Sequence, residues 1–563
     1  MRIAIVVFLM LSVPAVSAFC ATNETPQTPD DLVRQGWRML DRGVNIEALA
    51  VFQEALKAAP DNVDAHRGYQ DAMLALGKKD ELIAEYQKMT EEKPNSAAAC
   101  YLYSRLLDDP DEEKDWLDKA KALDDKFPYT YYGLGLRESE TGDKESAEKD
   151  LRRALELKPD FPEAYRALGM LYVGERKADD AEKLYLDAAK NLPKESFPHS
   201  YLSDIYYKQK KDNDKALAEI NAAIAIAADR PDFYVRKAEI LAAKGDKAEA
   251  VNALRKICEL EPTIFEARDA GKIAAEMTTP ELGFEDPAYD KAVDDIGEGN
   301  TADAIAGLTK LAEARGDVAL VDYQLGRAYE VEGRKENGAA SLEKAVEYYD
   351  KTAKAAPEFA NAFYGLASVQ YVLAGLLADD KASSEQFVTM SEKIAQHVLA
   401  LNPIHSDANL LLAKICHGRG EYEKALQYAA CCYKIAQDYK EVRPVLIDIV
   451  RIKQADEKPE TEFTVDEYSV KAYPVPNVPG NVGAVGWRFD VYKGDALYKQ
   501  FFEEILTDTD EATGELVTKY YLCELLDKDN NTTDILLPTK EEPTTETYQA
   551  ALKNALNPQP PGE

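Results

Sequence analysis

Several residue types that carry chemistry are scarce in this 563-residue chain, which has five histidines, three tryptophans and seven cysteines. The histidines stand at 66, 199, 397, 405 and 417, without the close spacing of a ligand set, and no two cysteines have the CxxC spacing. Metal and dithiol chemistry therefore find no support. HExxH, GxSxG, GxxxxGK[ST] and GxGxxG are all missing, so no catalytic or nucleotide-cradling motif and no cofactor is indicated. Basic residues number 68 against 102 acidic ones, a formal charge of -34. That balance excludes the basic stripe a phosphate backbone requires, and with it a nucleic-acid partner. The apolar stretch at 3–11 falls far below the ~20 residues that span a bilayer, and no membrane-spanning segment is expected. Glycine and proline, 29 and 27 copies, are too few for a low-complexity chain.

What is present is an apolar content of 45%, enough for several cores. The acid excess has two readings, solubility for a long exposed molecule and attraction for a basic partner or divalent cations.

Pro60, Pro94 and Pro128 recur at an interval of 34 residues. The fullest copy of the pattern, residues 161–193, sets Tyr165, Leu168, Gly169 and Tyr172 on one helical face. A turn follows at 174–177, then Ala181, Tyr185 and Ala188, and Pro193 closes the unit. The copy before it carries Tyr131, Leu134, Gly135, the turn Gly142-Asp143, then Ala147, Leu151, Ala154 and Pro159. Small residues at 135 and 169 allow two antiparallel helices to approach closely, and proline ends each second helix.

In this grammar the chain resembles the tetratricopeptide repeat family. The resemblance implies a mainly α fold, a superhelical α-solenoid of about ten or eleven helix pairs over residues 29–440. Each pair buries too little alone and needs its neighbours. Further copies carry Gly36, Ala48, Phe52 and Ala55; Leu202, Tyr206, Ala216 and Ile220; and Leu325, Gly326, Tyr329, Leu342 and Ala345. Two prolines and Gly283 interrupt the pattern at 278–287. The expected organisation is a first solenoid half at 30–277, a hinge at 278–287 and a second half at 288–452.

Beyond 450 the grammar changes. Prolines at 459, 474, 476 and 479 and glycines at 480, 483 and 486 exclude helix interiors. After a linker at 453–462, the segments 463–473, 487–492, 497–506 and 517–526 alternate in strand fashion, with turns at Lys493-Gly494-Asp495 and at 511–515. A small antiparallel β-rich α+β domain is expected over 463–545. A helix at 544–556 and a loose tail make the last segment, 546–563.

Residues 1–18 read as a secretory signal, with Arg2 as the charged start, an apolar stretch at 3–11 and Val16-Ser17-Ala18 as the cleavage site. Export to a bacterial-type periplasm or to the exterior is the expectation, with 19–29 as a flexible lead-in. Cys20 supports a second reading, a lipid anchor on an envelope membrane, although Phe19 departs from the small-residue pattern of such sites. In an oxidising compartment Cys416 on one helix could pair with Cys431 or Cys432 on the next, Cys416 with Cys432 being the favoured pair; packing as small apolar residues is the other reading.

Function is sought on the face the repeat leaves free. Opposite Tyr165 and Leu168, successive copies present Tyr129, Tyr132 and Leu136, then Arg166 and Met170, then Tyr207, and in the second half Tyr323 and Arg327. The resemblance places such residues on a concave surface. Their mixture of tyrosine, arginine and methionine suits a groove for a peptide or helix of a partner protein. The expected function is a non-catalytic protein–protein interaction scaffold. Two alternatives stand beside it. One is a lipid-anchored envelope-assembly factor; the other is a solenoid recruiting substrate to a catalytic or small-ligand β domain, with Asp490, Tyr492, Lys499, Glu503 and Lys519 converging.

Overall fold

The computed structural model describes residues 28–40, 45–260, 262, 264–316, 318–336, 338–436, 442, 445–446, 449, 458–474, 485–494, 496–509, 516–524, 534–537 and 543–556. The expected signal, the lead-in as far as residue 27, Cys20, Asp495, the 511–515 turn, most of the linker and the tail from 557 lie outside the described residues. The chain divides into two compact units, Met1–Pro198 and His199–Glu563.

The first unit holds α1 (Pro29–Leu40), α2 (Asn45–Ala58), α3 (Val63–Ala75), α4 (Lys79–Glu92), α5 (Ala97–Ser104), α6 (Pro110–Leu123), α7 (Pro128–Thr141), α8 (Lys144–Leu157), α9 (Pro162–Gly174) and α10 (Ala178–Asn191). Local chemistry sets the ends. Pro128 and Pro162 open α7 and α9 where a missing N–H costs nothing. The Asn62 side chain accepts from the Ala65 amide at 2.9 Å to start α3. Gly142, at φ +85°, closes α7 in the left-handed region that a Cβ disfavours. Within pairs the apolar faces interlock: Ala147, Leu151 and Ala154 of α8 are fully buried, and Leu151 fills the space beside Gly135.

The second unit begins in α11 (Phe197–Asp204), which continues as a π-helical turn, Ile205–Lys210. It goes on through α12 (Asn213–Ile226), α13 (Pro231–Lys244), α14 (Lys247–Glu259), α15 (Ile264–Thr278), α16 (Pro287–Glu298), α17 (Thr301–Arg315), α18 (Ala319–Glu336), α19 (Ala339–Ala355), α20 (Ala360–Leu376), α21 (Lys381–Leu401), α22 (Ser406–Gly418) and α23 (Tyr422–Ile435). The segment between α15 and α16, expected as a hinge, is non-helical but anchored. Leu282 and Phe284 pack on the core around Ile296 and Leu308, and the Arg315 guanidinium lies 4.6 Å from the Phe284 ring. The boundary between compact units falls at Pro198, not here.

α14 and α15 also pack against α23, so the run between them returns on itself. Ile404 and Ile435 join the core of Leu254, Ile257 and Ala274. This packing corrects the expected cysteine pairing. The disulfide joins Cys258 of α14 to Cys431 of α23, and Cys416 and Cys432 are buried thiols. Adjacent helices suggested a local bond, whereas the return of the chain supplies a partner 173 residues away.

The C-terminal strands β1 (Thr461–Val465), β2 (Tyr468–Pro474), β3 (Val485–Lys493), β4 (Ala496–Thr509), β5 (Leu516–Glu524) and β6 (Asp534–Leu536) form one antiparallel sheet in sequence order. Residues 463–473, expected as one strand, split into β1 and β2 around a tight turn with Asp466 at φ +51°. Aspartate tolerates that conformation, so the turn needs no glycine. Val470, Ala472, Phe489, Val491 and Phe501 face Tyr548 and Leu552 of α24 (Thr545–Leu556).

Candidate functional site

α3, α5, α7 and α9 are neighbours in turn, and each contributes residues from the same helical positions. The second residues of α3, α7 and α9 are Asp64, Tyr129 and Glu163; the fifth residues of the four helices are Arg67, Tyr101, Tyr132 and Arg166. At the ninth position stand Asp71, Arg105, Leu136 and Met170, Arg105 directly following α5. This is the row the sequence nominates for a partner.

Its first half is occupied by the protein itself. Arg67 is 2% exposed and pairs with both Asp64 and Glu163 at 3.1 Å. The rings of Tyr132, Phe161, Tyr129 and Trp37 surround its guanidinium at 5.1, 5.4, 5.8 and 5.9 Å. Such cation–π contacts strengthen on desolvation. The Tyr129 hydroxyl donates to Asp64 Oδ2 at 2.7 Å, and Lys158 reaches the same oxygen at 3.2 Å. Burial pushes the Asp64 carboxyl up, but Lys158, Arg67 and Tyr129 outweigh it and hold it below its usual value. Burial, aided by the Asp64 charge, raises the Tyr129 phenol. Alongside, Arg105 bonds Asp71 at 2.7 Å, and Gln70 donates to the Leu102 carbonyl. Tyr129 and Tyr132 thus serve the interior cluster, and Tyr129 has almost no surface to offer.

The second half of the row is open. Leu136, Met170 and Val173 are 37%, 67% and 42% exposed. The Arg166 guanidinium lies 4.4 Å over the Phe197 ring and makes no ion pair among the described residues.

In the second unit Tyr207 is half-buried, with the Arg236 guanidinium 5.8 Å from its ring. Tyr323 and Arg327 are the fifth and ninth residues of α18. Tyr323 packs on Phe359 and Tyr349, and burial raises its phenol to about 12. Arg327 donates to Gln324 Oε1 at 3.1 Å. Glu330, one turn on, accepts from the Tyr349 hydroxyl at 2.7 Å and from Arg334 at 2.8 Å.

By register, the residues expected to converge in the sheet do not all share one face. Asp490 is 5% exposed and pairs with Arg488 at 3.2 Å. Lys499 stands opposite Val491 and so faces away from Asp490; Glu503 and Lys519 pair with Leu522 and Leu506. Among the described residues no cluster of three metal-ligating side chains occurs, and no helix is long and apolar enough to cross a membrane.

The sequence reading missed Arg67, Asp64 and Glu163 as a unit. The signal was available in part, because Arg67 holds the same helix position as Tyr132 and Arg166.

Family models described as tetratricopeptide repeat match residues 34–97, 132–196 and 231–264. The chain carries tetratricopeptide repeats. Similar solved structures include YrrB, described as a TPR protein with an unusual peptide-binding site, at 19% identity and TM-score 0.28, covering 33% of this chain and 97% of that one. Pseudomonas aeruginosa pilF matches at 16% and 0.27, covering 43% and 96%. MamA of Desulfovibrio magneticus RS-1 matches at 16% and 0.25, covering 32% and 95%. No curated protein matches the chain. Tetratricopeptide repeat proteins are in general protein–protein interaction scaffolds, and typically non-catalytic ones.

Proposed function

We propose that this tetratricopeptide repeat protein is an exported, non-catalytic scaffold that grips a peptide segment or helix of a partner protein along the open half of the α7–α9 row. The observation that carries the reading is the exposure of Leu136, Met170 and Val173 beside Arg166, where equivalent positions in α3 and α5 are sealed by their own ion pairs. Exposed apolar residues grouped in a row mark contact surfaces, and methionine adapts to varied partners. A partner with apolar anchors and a carboxylate for Arg166 fits this surface. Export is supported by the composition of residues 1–18 and by the Cys258–Cys431 bond, since structural disulfides persist mainly in oxidising compartments.

A photo-crosslinking side chain at Met170, compared with one at the exposed Leu186 of α10, tests the surface in native cells. The reading expects one partner protein captured from 170, not from 186, and lost when Leu136 and Arg166 are both replaced (Leu136→Glu, Arg166→Ala). Equal capture from both positions, or capture that survives the double change, refutes it.

A further inference from the structure

The open surface on α7 and α9 carries opposite charges at its two ends and apolar side chains between them. On α9, Arg166, Met170 and Val173 share one face, and the first and last lie about 10 Å apart along the axis. On α7, Leu136 and Glu140 continue the line of Tyr132 one turn at a time. The two helices touch, so their axes lie about 8–10 Å apart and leave a groove between them. Arg166 stands toward the start of this groove and Glu140 at its end, because both helices begin at the same point of the repeat.

Neither charge has an ion-pair partner among the described residues. The Arg166 guanidinium rests 4.4 Å from the centre of the Phe197 ring, and the Glu140 side chain is exposed. Burial raises the neighbouring Glu113 carboxyl against the pull of Arg137, and the Glu140 charge adds to the rise. The carbonyl ends of α7 and α9 lie at the Glu140 end too, and their partial negative charge favours a cation. Resting on the scaffold reading, we infer that the partner enters this groove as an amphipathic α-helix with a carboxylate at one end of its apolar stripe and a lysine or arginine at the other. The stripe lies on Leu136, Met170 and Val173, the carboxylate on Arg166 and the cation on Glu140.

The surface restricts the occupant. An extended segment presents a backbone N–H and C=O at every residue, and Leu136, Met170 and Val173 have nothing to bond them; a helix closes those bonds on itself and offers only its side chains. Two turns of helix span about 10 Å, which matches the row from Arg166 to Val173. A uniformly acidic tail would set like charge against Glu140, and a uniformly basic one would set like charge against Arg166.

Four peptides on one alanine-rich helical frame, with the same leucine stripe, are the probes. One has glutamate and lysine at the two ends of the stripe, one glutamate at both, one lysine at both, and the last repeats the first with a proline inside the stripe. Each is titrated into the full chain while the methyl signals of Leu136, Met170 and Val173 are followed by NMR. The glutamate–lysine peptide is expected to bind about threefold more tightly than either like-charged peptide, as for one exposed ion pair. It should bind about a hundredfold more tightly than the proline peptide, whose helix is broken. Glu140→Lys should move the preference to the two-glutamate peptide, and Arg166→Glu to the two-lysine peptide. Absence of methyl shifts, equal affinity for the four peptides, or a preference that neither substitution moves overturns the inference. Crosslinking from Met170 in cells separates the two readings: capture there without a peptide preference removes the helix and leaves the scaffold, whereas no capture removes the scaffold reading itself.

Discussion

Arg67 Nη1 lies 3.1 Å from Glu163 Oε1, an ion pair that joins α3 directly to α9 across α5 and α7. Neighbouring repeats pack through apolar faces; this contact adds a tie between repeats that are not neighbours in sequence. Arg67→Met keeps the bulk and removes the charge. Losing one partner of a buried pair costs about 3–5 kcal/mol, and about 3 kcal/mol is expected here because Asp64 and Glu163 keep 24% and 17% of their side-chain surface exposed. Urea unfolding measures it; a loss under about 1 kcal/mol, the scale of a surface pair, would refute the tie.

Gly169 tests the helix crossing. A Cβ there would stand 1.9 Å from Tyr185 Oη and 2.3 Å from its Cζ, and the fully buried Tyr185 ring has nowhere to move. Gly169→Ala should destabilise by about 1–3 kcal/mol through overpacking, and Gly169→Leu by more. Gly174, at the end of the same helix, faces open space. Gly174→Ala should leave the melting temperature unchanged or raise it, by up to about 1 kcal/mol of helix propensity. Equal effects at the two sites would contradict the close approach.

Glu138 of α7 gives a pH dependence. Burial, then the Asp150 and Asp143 carboxylates, raise its pKa from 4.5 to about 7, more than Lys121 and Lys149 lower it. The folded state therefore holds the proton more tightly than the unfolded chain. The stabilising contribution of that proton is fully present below pH 4.5 and is lost as pH rises to about 7. Glu138→Gln should raise the melting temperature relative to the native chain at pH 8, and the gap should close by pH 4.5. Scanning calorimetry across that range decides it, and a gap independent of pH would count against the buried carboxyl.

The disulfide is checked by a non-reducing peptide map, which should recover Cys258 linked to Cys431. A peptide linking Cys416 to Cys432 would restore the local pairing. Reduction should cost about 2–4 kcal/mol, the typical contribution of a bond closing a long loop. Cys431→Ser should reproduce that loss, and it should then be insensitive to reductant.

The helix pairs were legible because their signals are local. Gly169 and Tyr172 announce a crossing, Gly142 a helix end and Pro162 a helix start, each readable within one turn of chain. The Arg67 cluster was not, since a meeting of α3 with α9 depends on small rotations summed over several repeats, and no single repeat encodes that sum. The same reason hid the partner of Cys258, which the return of α23 to α14 determines. In the sheet, the turn at Asp466 went unread because Asp-Glu lacks the glycine that usually advertises a hairpin. The open residues Leu136, Arg166 and Met170 were nominated by helical position alone, and their companions Tyr129 and Tyr132 were nominated by the same rule. Only the three-dimensional neighbourhood of Arg67 separates them.

The Cys258–Cys431 bond has a mechanical consequence. A pull on the two ends of the chain passes through the sulfur bridge and bypasses the segment between two cysteines 173 positions apart. Under load that segment stays shielded, and reduction releases roughly 600 Å of contour length at one stroke.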